Sequence, residues 1–500
     1  MKRLVPILLL GFPAVAAAQD GVPGDLLRFT NGDRLDGHFE GLKQGPSVMW
    51  RRDDVNAPLD FKTTQLRQVV LRSARPAKPL PDFSSVGLVN GDRIPGTLTG
   101  MDAEELTLET TCAGPLTIRR KDVTMISPNP LGGKLLYSGP FSDEGWTLAA
   151  MNQEDEPAAP GDKATKPESD EGKKPPSWSY SSGAWYHRQG PAALVRDVRM
   201  PDRALMRFQI AWKSRLALAI AFHADFKKPD KDGQPRSDSS NGPGLPQMFG
   251  NAYVMNLYTG YVILNRCGYD ANGKPVLERI QSSATNARLP ETGEATVEIR
   301  CNRKSGEIAL FINDEFAVQW TEGTGEGEDS YAGRGGGIGF QVQTLSTPGQ
   351  STSVPVRISD VMVSEWNGMP DAARSLQTND QDIVLLTNGT DRFSGEITGM
   401  KKNRIQLKGR YADFEFPLED VAEIRFARNR QAKPLPAATE QVQVRFLPFG
   451  RISGTAAEGT HSSVILNSPI LGKMKVDLDY SVMLDFKNTN SFLDEWDPQF

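Results

Sequence analysis

The chain has 500 residues, with 57 Lys and Arg against 62 Asp and Glu, a net charge of −5 and 38% hydrophobic residues. That length exceeds what one core organises at about 100–200 residues per domain, so three or more units are expected. The acidic balance excludes the broadly basic surface that nucleic-acid binding requires, and no apolar run reaches the ~20 residues that cross a bilayer as a helix.

The N-terminus has the layout of an export signal: Lys2 and Arg3, an apolar stretch over 4–15, then Ala16, Ala17 and Ala18 as a small-residue cleavage site. It predicts a signal peptide over 1–18 and a periplasmic or extracellular mature chain. A motif follows and then returns. Asn31-Gly32-Asp33-Arg34-Leu35-Asp36-Gly37 is echoed by Asn90-Gly91-Asp92-Arg93-Ile94-Pro95-Gly96, and by Asn388-Gly389-Thr390-Asp391-Arg392-Phe393-Ser394-Gly395 with one inserted residue. A worn fourth copy reads Arg451-Ile452-Ser453-Gly454. Asn-Gly between alternating segments signals a tight hairpin, because both positions tolerate positive φ. The Gly after Arg marks a bend where a β-carbon would collide. Each copy reads as a small, bent β-barrel of about five strands with one helical turn before the last: 25–72, 86–127, 382–427 and 441–487. Ala77-Lys78-Pro79-Leu80-Pro81 joins the first two and Ala432-Lys433-Pro434-Leu435-Pro436 the last two. The shared linker predicts that repeat 1 partners repeat 2 and repeat 3 partners repeat 4.

Between the pairs, over 134–368, alternating apolar segments recur at 205–212, 216–222, 253–258, 261–264, 296–300, 308–312, 338–342 and 356–363. Period-two alternation gives each one buried and one solvated face. Many such strands, with turn residues and no amphipathic helix between them, predict a two-sheet sandwich. The fold class expected is therefore all-β, a central two-sheet jelly-roll sandwich flanked by two pairs of small bent β-barrels. Residues 152–177 and 226–246 are polar insertions too poor in apolar groups to order themselves by burial, and 488–500 form a tail.

Several phrases carry a resemblance: Ala193 through Asp202, Ile312-Asn313-Asp314-Glu315-Phe316, Gly337-Ile338-Gly339-Phe340-Gln341, and Arg357 through Trp366. The region resembles the concanavalin A-like lectin/glucanase jelly roll, including LamG-like domains and the bacterial 3-keto-disaccharide hydrolase domains. The barrel repeats resemble the Sm-like barrel. The first resemblance implies a carbohydrate ligand and the second a nucleic-acid partner, which the export signal and net charge oppose.

Chemistry is sparse in this sequence. The Glu-x-Asp-x-x-Glu array with which retaining glucanases place two carboxyls falls on no predicted strand. Glu154, Asp155 and Glu156, and Glu326, Glu328 and Asp329, sit in loop-like stretches. His38, His187, His223 and His461 are scattered, and no nucleophile motif accompanies them. Cys112, Cys267 and Cys301 lack metal-site spacing; a Cys267–Cys301 bridge and buried free thiols both stay open. No catalytic residue, metal or cofactor is assigned.

Parity defines a candidate face. Taking Phe208, Ile210 and Trp212 as inward leaves Gln209 outward, while Met255 and Leu257 leave Asn256 and Tyr258. Ile338, Phe340 and Val342 leave Gln341 and Gln343. His223 ends a strand whose other outward residues are Ala217, Ala219 and Ala221. Gln209, His223, Asn256, Tyr258, Gln341 and Gln343 thus form a candidate ligand-binding set in which amides meet hydroxyls and one ring covers an apolar sugar face. Plain solvation of an outer face is the alternative. The sequence supports an exported, non-catalytic carbohydrate-binding or adhesion protein, its partners a saccharide or cell-envelope glycan and proteins docking on the repeats. A glycan-active hydrolase of the 3-keto-disaccharide type and a purely structural scaffold are the competing readings.

Overall fold

The structure is a computed structural model. It describes residues 24–31, 33–43, 47–81, 83–131, 133–149, 177–181, 183–227, 244–270, 272–280, 288–291, 293–322, 333–343, 345–347, 350–352, 354–366, 378–433 and 441–486. The expected signal peptide over 1–18, residues 488–500, most of both insertions and the two acidic loop clusters lie outside these residues.

The described chain is all-β, with one short α-helix, Leu245–Phe249, and single 3-10 turns. Two antiparallel sheets form the central sandwich. One runs in the order Trp178–Ser181, Ala184–His187, Val356–Glu365, Arg203–Trp212, Gly293–Asn302, Glu307–Ile312 and Glu315–Thr321, with Leu135–Gly139 also paired to Val356–Glu365. The other runs Thr147–Ala149, Ala193–Asp197, Gly337–Val342, Ala217–Ala224, Ala252–Tyr258, Val262–Tyr269 and Pro275–Ile280. The alternating apolar residues meet between them: Phe208, Ile210 and Trp212 from the first sheet pack with Ile220, Met255, Leu257, Phe340 and Val342 from the second.

Each repeat starts with a strand that pairs with both its second and its last strand, as Asp25–Phe29 does with Arg34–Lys43 and Leu66–Val70. A 3-10 turn precedes the last strand in all four: Thr63–Gln65, Arg120–Asp122, Leu418–Asp420 and Leu478–Tyr480. The motif glycines have a shared steric cause. A β-carbon built at Gly37, Gly96, Gly395 or Gly454 would lie less than 3.0 Å from a carbonyl oxygen of the adjacent strand. Gly395→Ala should therefore force the second and third strands of its repeat apart, costing about 1–3 kcal/mol as overpacking does. Chemical denaturation of the variant checks this, and an unchanged midpoint would show that the strands tolerate the methyl group.

The linkers do not name the strand partners, and repeat 4 also pairs with repeat 2 at Arg451 opposite Arg93. Leu66–Val70 of repeat 1 pairs with Ser481–Phe486 of repeat 4, and Val123–Ser127 of repeat 2 pairs with Val421–Arg425 of repeat 3. In both cases the last strand, still offering an unpaired edge, finds its equivalent across the sandwich insertion. The linkers follow this crossed order: Lys78 donates its backbone N–H to Asp479 of repeat 4, and Ala432 donates to Lys121 of repeat 2.

The repeats also cover the outer face of the first sandwich sheet. Leu205, Ala309, Phe311 and Met362 on that face pack with Ile383 and Phe449 of the repeats. Charged neighbours are sealed in with them. Glu298 accepts from Arg207 at 2.7 Å and Arg300 at 2.6 Å, Arg300 reaches Glu423 of repeat 3 at 3.3 Å, and Arg207 lies 2.7 Å from Asp314. Arg93, the motif arginine of repeat 2, stands 3.5 Å from Asp314 and stacks over Phe449 with 4.6 Å to the ring centroid. Burial pushes the Arg93 guanidinium down to about 10. Asp314 resists the upward push of its own burial, because Arg207 and Arg93 hold it well below the usual carboxylate range.

Candidate functional site

With one sandwich face covered, the outer face of the second sheet is the one left for a ligand, and its two halves differ. Helix Leu245–Phe249 caps one half through Leu245, Met248 and Phe249, over Ala221, Ala252 and Val254. The other half is polar. Ala219 stands opposite Asn256 on one side and Gln341 on the other, and Ala217 stands opposite Tyr258 and accepts the backbone N–H of Gln343. The small alanines leave a floor between longer side chains, because strands only about 4.8 Å apart carry residues of such different reach.

The polar groups form a directed chain. The Tyr258 hydroxyl donates to Gln343 Oε1 at 2.7 Å, and Gln343 Nε2 donates to Asn256 Oδ1 at 2.9 Å. This fixes the Asn256 amide and commits its Nδ2 protons to no protein acceptor among the described residues. Across Ala219, Gln341 Nε2 donates to the Pro191 carbonyl at 3.2 Å, which turns Gln341 Oε1 away as a buried acceptor with no partner. Gln341 is only 6% exposed, so that orphan carries a desolvation cost of about 1–3 kcal/mol. Tyr258 stacks on Tyr261 at 4.6 Å between centroids, and Tyr261 is half-exposed. Burial, with Tyr261 alongside, raises the Tyr258 pKa, which keeps the phenol a donor.

Four of the six residues named from sequence, Asn256, Tyr258, Gln341 and Gln343, are thus gathered on one face. Gln209 is not with them. It faces outward on the other sheet, where its Oε1 accepts from Arg445 of repeat 4; alternation says which side of a strand a residue occupies, not which sheet the strand joins. His223 is also elsewhere. A register shift between Phe222 and Ala224, with φ of 51° at His223, turns its ring into the core. There Nε2 lies 3.4 Å from Cys301 Sγ and Nδ1 lies 3.4 Å from the Gly335 carbonyl. The thiol donating to Nε2 and Nδ1–H donating to Gly335 make this a satisfied neutral pair. The three cysteines are free and buried. Tyr261 and Asn265 went unread in the sequence. Tyr261 follows from parity with Val262 and Leu264 inward, whereas Asn265 shares the outward side but stands opposite Val254, on the half that the helix caps.

Burial, and after it Arg303, lowers the His223 pKa from 6.5 to about 3. Because the unfolded chain binds this proton more readily, stability is lost as pH falls below 6.5, reaching about 2 kcal/mol by pH 5. Glu322 acts in the opposite sense. Its carboxyl, raised by burial to about 7, accepts from Tyr253 and lies 2.9 Å from Arg266 at the sandwich end, so its contribution is lost as pH rises from 4.5. The difference between wild type and His223→Gln, measured by denaturation at pH 7 and pH 5, isolates the histidine; equal pH slopes in the two proteins would overturn the assignment.

Among the described residues no three His, Cys, Asp or Glu come together as metal ligands, and no helix is long and apolar enough to cross a membrane. No family model and no curated protein matches the chain. Solved structures similar to part of it include a CBM66 carbohydrate-binding module from Bacillus subtilis, at 10% identity over 44% of this chain and 91% of that one, with a TM-score of 0.22. LamAcat from Zobellia galactanivorans is similar at 12% identity over 46% and 94%, TM-score 0.25. A Caenorhabditis elegans galectin is similar at 15% identity over 36% and 96%, TM-score 0.21. At such scores the likenesses add nothing to what the strand order itself establishes.

Proposed function

We propose that this chain is an exported saccharide-binding protein that holds a neutral sugar on the outer face of its second sandwich sheet and does not turn it over. The observation that carries this reading is the fixed pair flanking Ala219: an acceptor, Gln341 Oε1, and a donor, Asn256 Nδ2. A hydroxyl both donates and accepts, so vicinal hydroxyls satisfy both groups at once, and the Tyr258–Tyr261 pair offers a surface for the apolar face of the ring. Asn256, Tyr258, Gln341, Gln343 and Tyr261 include no carboxylate or cation, which supports a neutral ligand and argues against acid–base catalysis there.

The test is a glycan-array screen of the full-length chain, followed by calorimetry on any hit with Gln341→Leu. The variant should bind about tenfold more weakly, corresponding to one hydrogen bond of about 1.4 kcal/mol. Its stability should move little, because removing the orphaned acceptor offsets the lost bond to Pro191. Undiminished affinity in Gln341→Leu would place the ligand elsewhere.

A further inference from the structure

A second polar site lies where repeats 2, 3 and 4 meet the sandwich. Three arginines stand in one row across three paired strands, with Arg445 opposite Arg451 and Arg451 opposite Arg93. Like charges placed directly opposite repel, so each guanidinium needs acceptors of its own. Arg445 lies 3.1 Å from Asp360 and donates to Gln209. Arg93 donates to Ser85 at 2.9 Å and lies 3.5 Å from Asp314. Arg451, in the middle, donates its Nε to the Gly91 carbonyl, and neither of its Nη groups meets an acceptor among the described residues. Burial lowers the Arg451 pKa, with Arg207 and Arg445 adding to the effect and Asp314 and Asp92 opposing it.

Arg451 lines a cavity of about 400 Å³. Arg425 of repeat 3 lines it as well. Its Nε is taken by Glu423 and its Nη1 by the Asp314 carbonyl at 2.9 Å, which leaves Nη2 without an acceptor among the described residues. The acids on the wall are committed to other groups: Asp92 accepts from Ser453 and Asn90, Asp314 accepts from Arg207, and Glu315 lies 3.3 Å from Arg428. Thr124 and Gln431 complete the polar lining. The Thr124 hydroxyl bonds to no described residue, and Gln431 donates Nε2 to the Phe426 carbonyl at 2.8 Å, leaving Oε1 to accept.

We propose that this cavity binds a hydroxylated carboxylate of monosaccharide size, such as a uronate, with Arg451 and Arg425 on the carboxylate and Thr124 and Gln431 on hydroxyls. A guanidinium offers two parallel N–H groups that match the two oxygens of a carboxylate. The volume lies in the range of small-molecule sites, and a bare inorganic anion leaves most of it unfilled. The bound carboxylate supplies the acceptor that the middle arginine of the row lacks.

The test is calorimetry of the full-length protein with sodium galacturonate, set against galactose and inorganic phosphate at equal ionic strength. Galacturonate should bind saturably and more tightly than either. Arg451→Gln should weaken it about ten- to a hundredfold, the loss expected for hydrogen bonds to a charged group. Thr124→Val leaves the arginine row intact and should weaken it several-fold, which keeps the test open if Arg451→Gln does not fold. No binding beyond galactose would overturn the proposal, as would equal affinity in wild type and both variants. Phosphate binding as tightly as galacturonate would show a bare oxyanion site and overturn the carboxylate assignment. Loss of galacturonate binding in Gln341→Leu would move the ligand to the sheet face and overturn this site.

Discussion

Replacing Glu298 with alanine should destabilise the protein by about 3–5 kcal/mol, more than any other single change considered for the docked repeats. Glu298 lies under repeat 3 and carries two arginines, Arg207 and Arg300, on its two oxygens. Burial would push its carboxyl up, but Arg300 and Arg207 outweigh that and hold it at about 2. Truncation leaves both guanidiniums buried with one acceptor fewer, and an uncompensated buried charge costs several kcal/mol where an intact pair nearly breaks even. The double variant Arg207→Met/Glu298→Leu should therefore cost less than Glu298→Ala alone. The depressed pKa also fixes a pH window: the contribution of Glu298 is complete above 4.5 and is lost as pH falls toward 2. Chemical denaturation of the two variants tests this, and a loss under 1 kcal/mol for Glu298→Ala would mean the seam is wet and the repeats loosely held.

Tyr258→Ala should have the largest effect on ligand binding. It removes a half-buried ring that stacks on Tyr261 and, through its hydroxyl, orients Gln343 and hence Asn256. Loss of an aromatic contact at about 0.5–1.5 kcal/mol and of a hydrogen bond of similar size predicts affinity lower by about five- to a hundredfold. Tyr258→Phe separates the two terms, because it keeps the stack and loses only the relay. Folding should survive both changes, since Tyr258 ends its strand and is not among the buried core residues. If Tyr258→Ala binds as tightly as wild type, the ring is not part of the site.

The local geometry of this chain was written in its sequence. The alternation at 205–212 gave both a strand and the direction of each side chain, and the motif glycines marked places where the neighbouring carbonyl leaves no room. Non-local geometry was not. Nothing in the alternation around Gln209 distinguishes one sheet from the other, and the bulge at His223 reverses a side chain without disturbing the apolar pattern on either side. The crossed pairing of the repeats depends on which strand edges stay open after each barrel forms, whereas the proline linkers report only which repeats are neighbours in the chain. Asn265 was missed because the strand was read as ending at Leu264, whereas it runs to Tyr269.

The central claim, a sugar held by the polar half of the second sheet, is tested most directly by calorimetry of the full-length chain with a neutral oligosaccharide taken from the array screen. Wild type is predicted to bind, Gln341→Leu to bind about tenfold more weakly, and the affinity to be insensitive to salt because the groups offered to the sugar, Asn256, Tyr258, Gln341 and Gln343, are uncharged. Binding that is unchanged in Gln341→Leu and Tyr258→Ala, or that weakens steeply with salt, would contradict it.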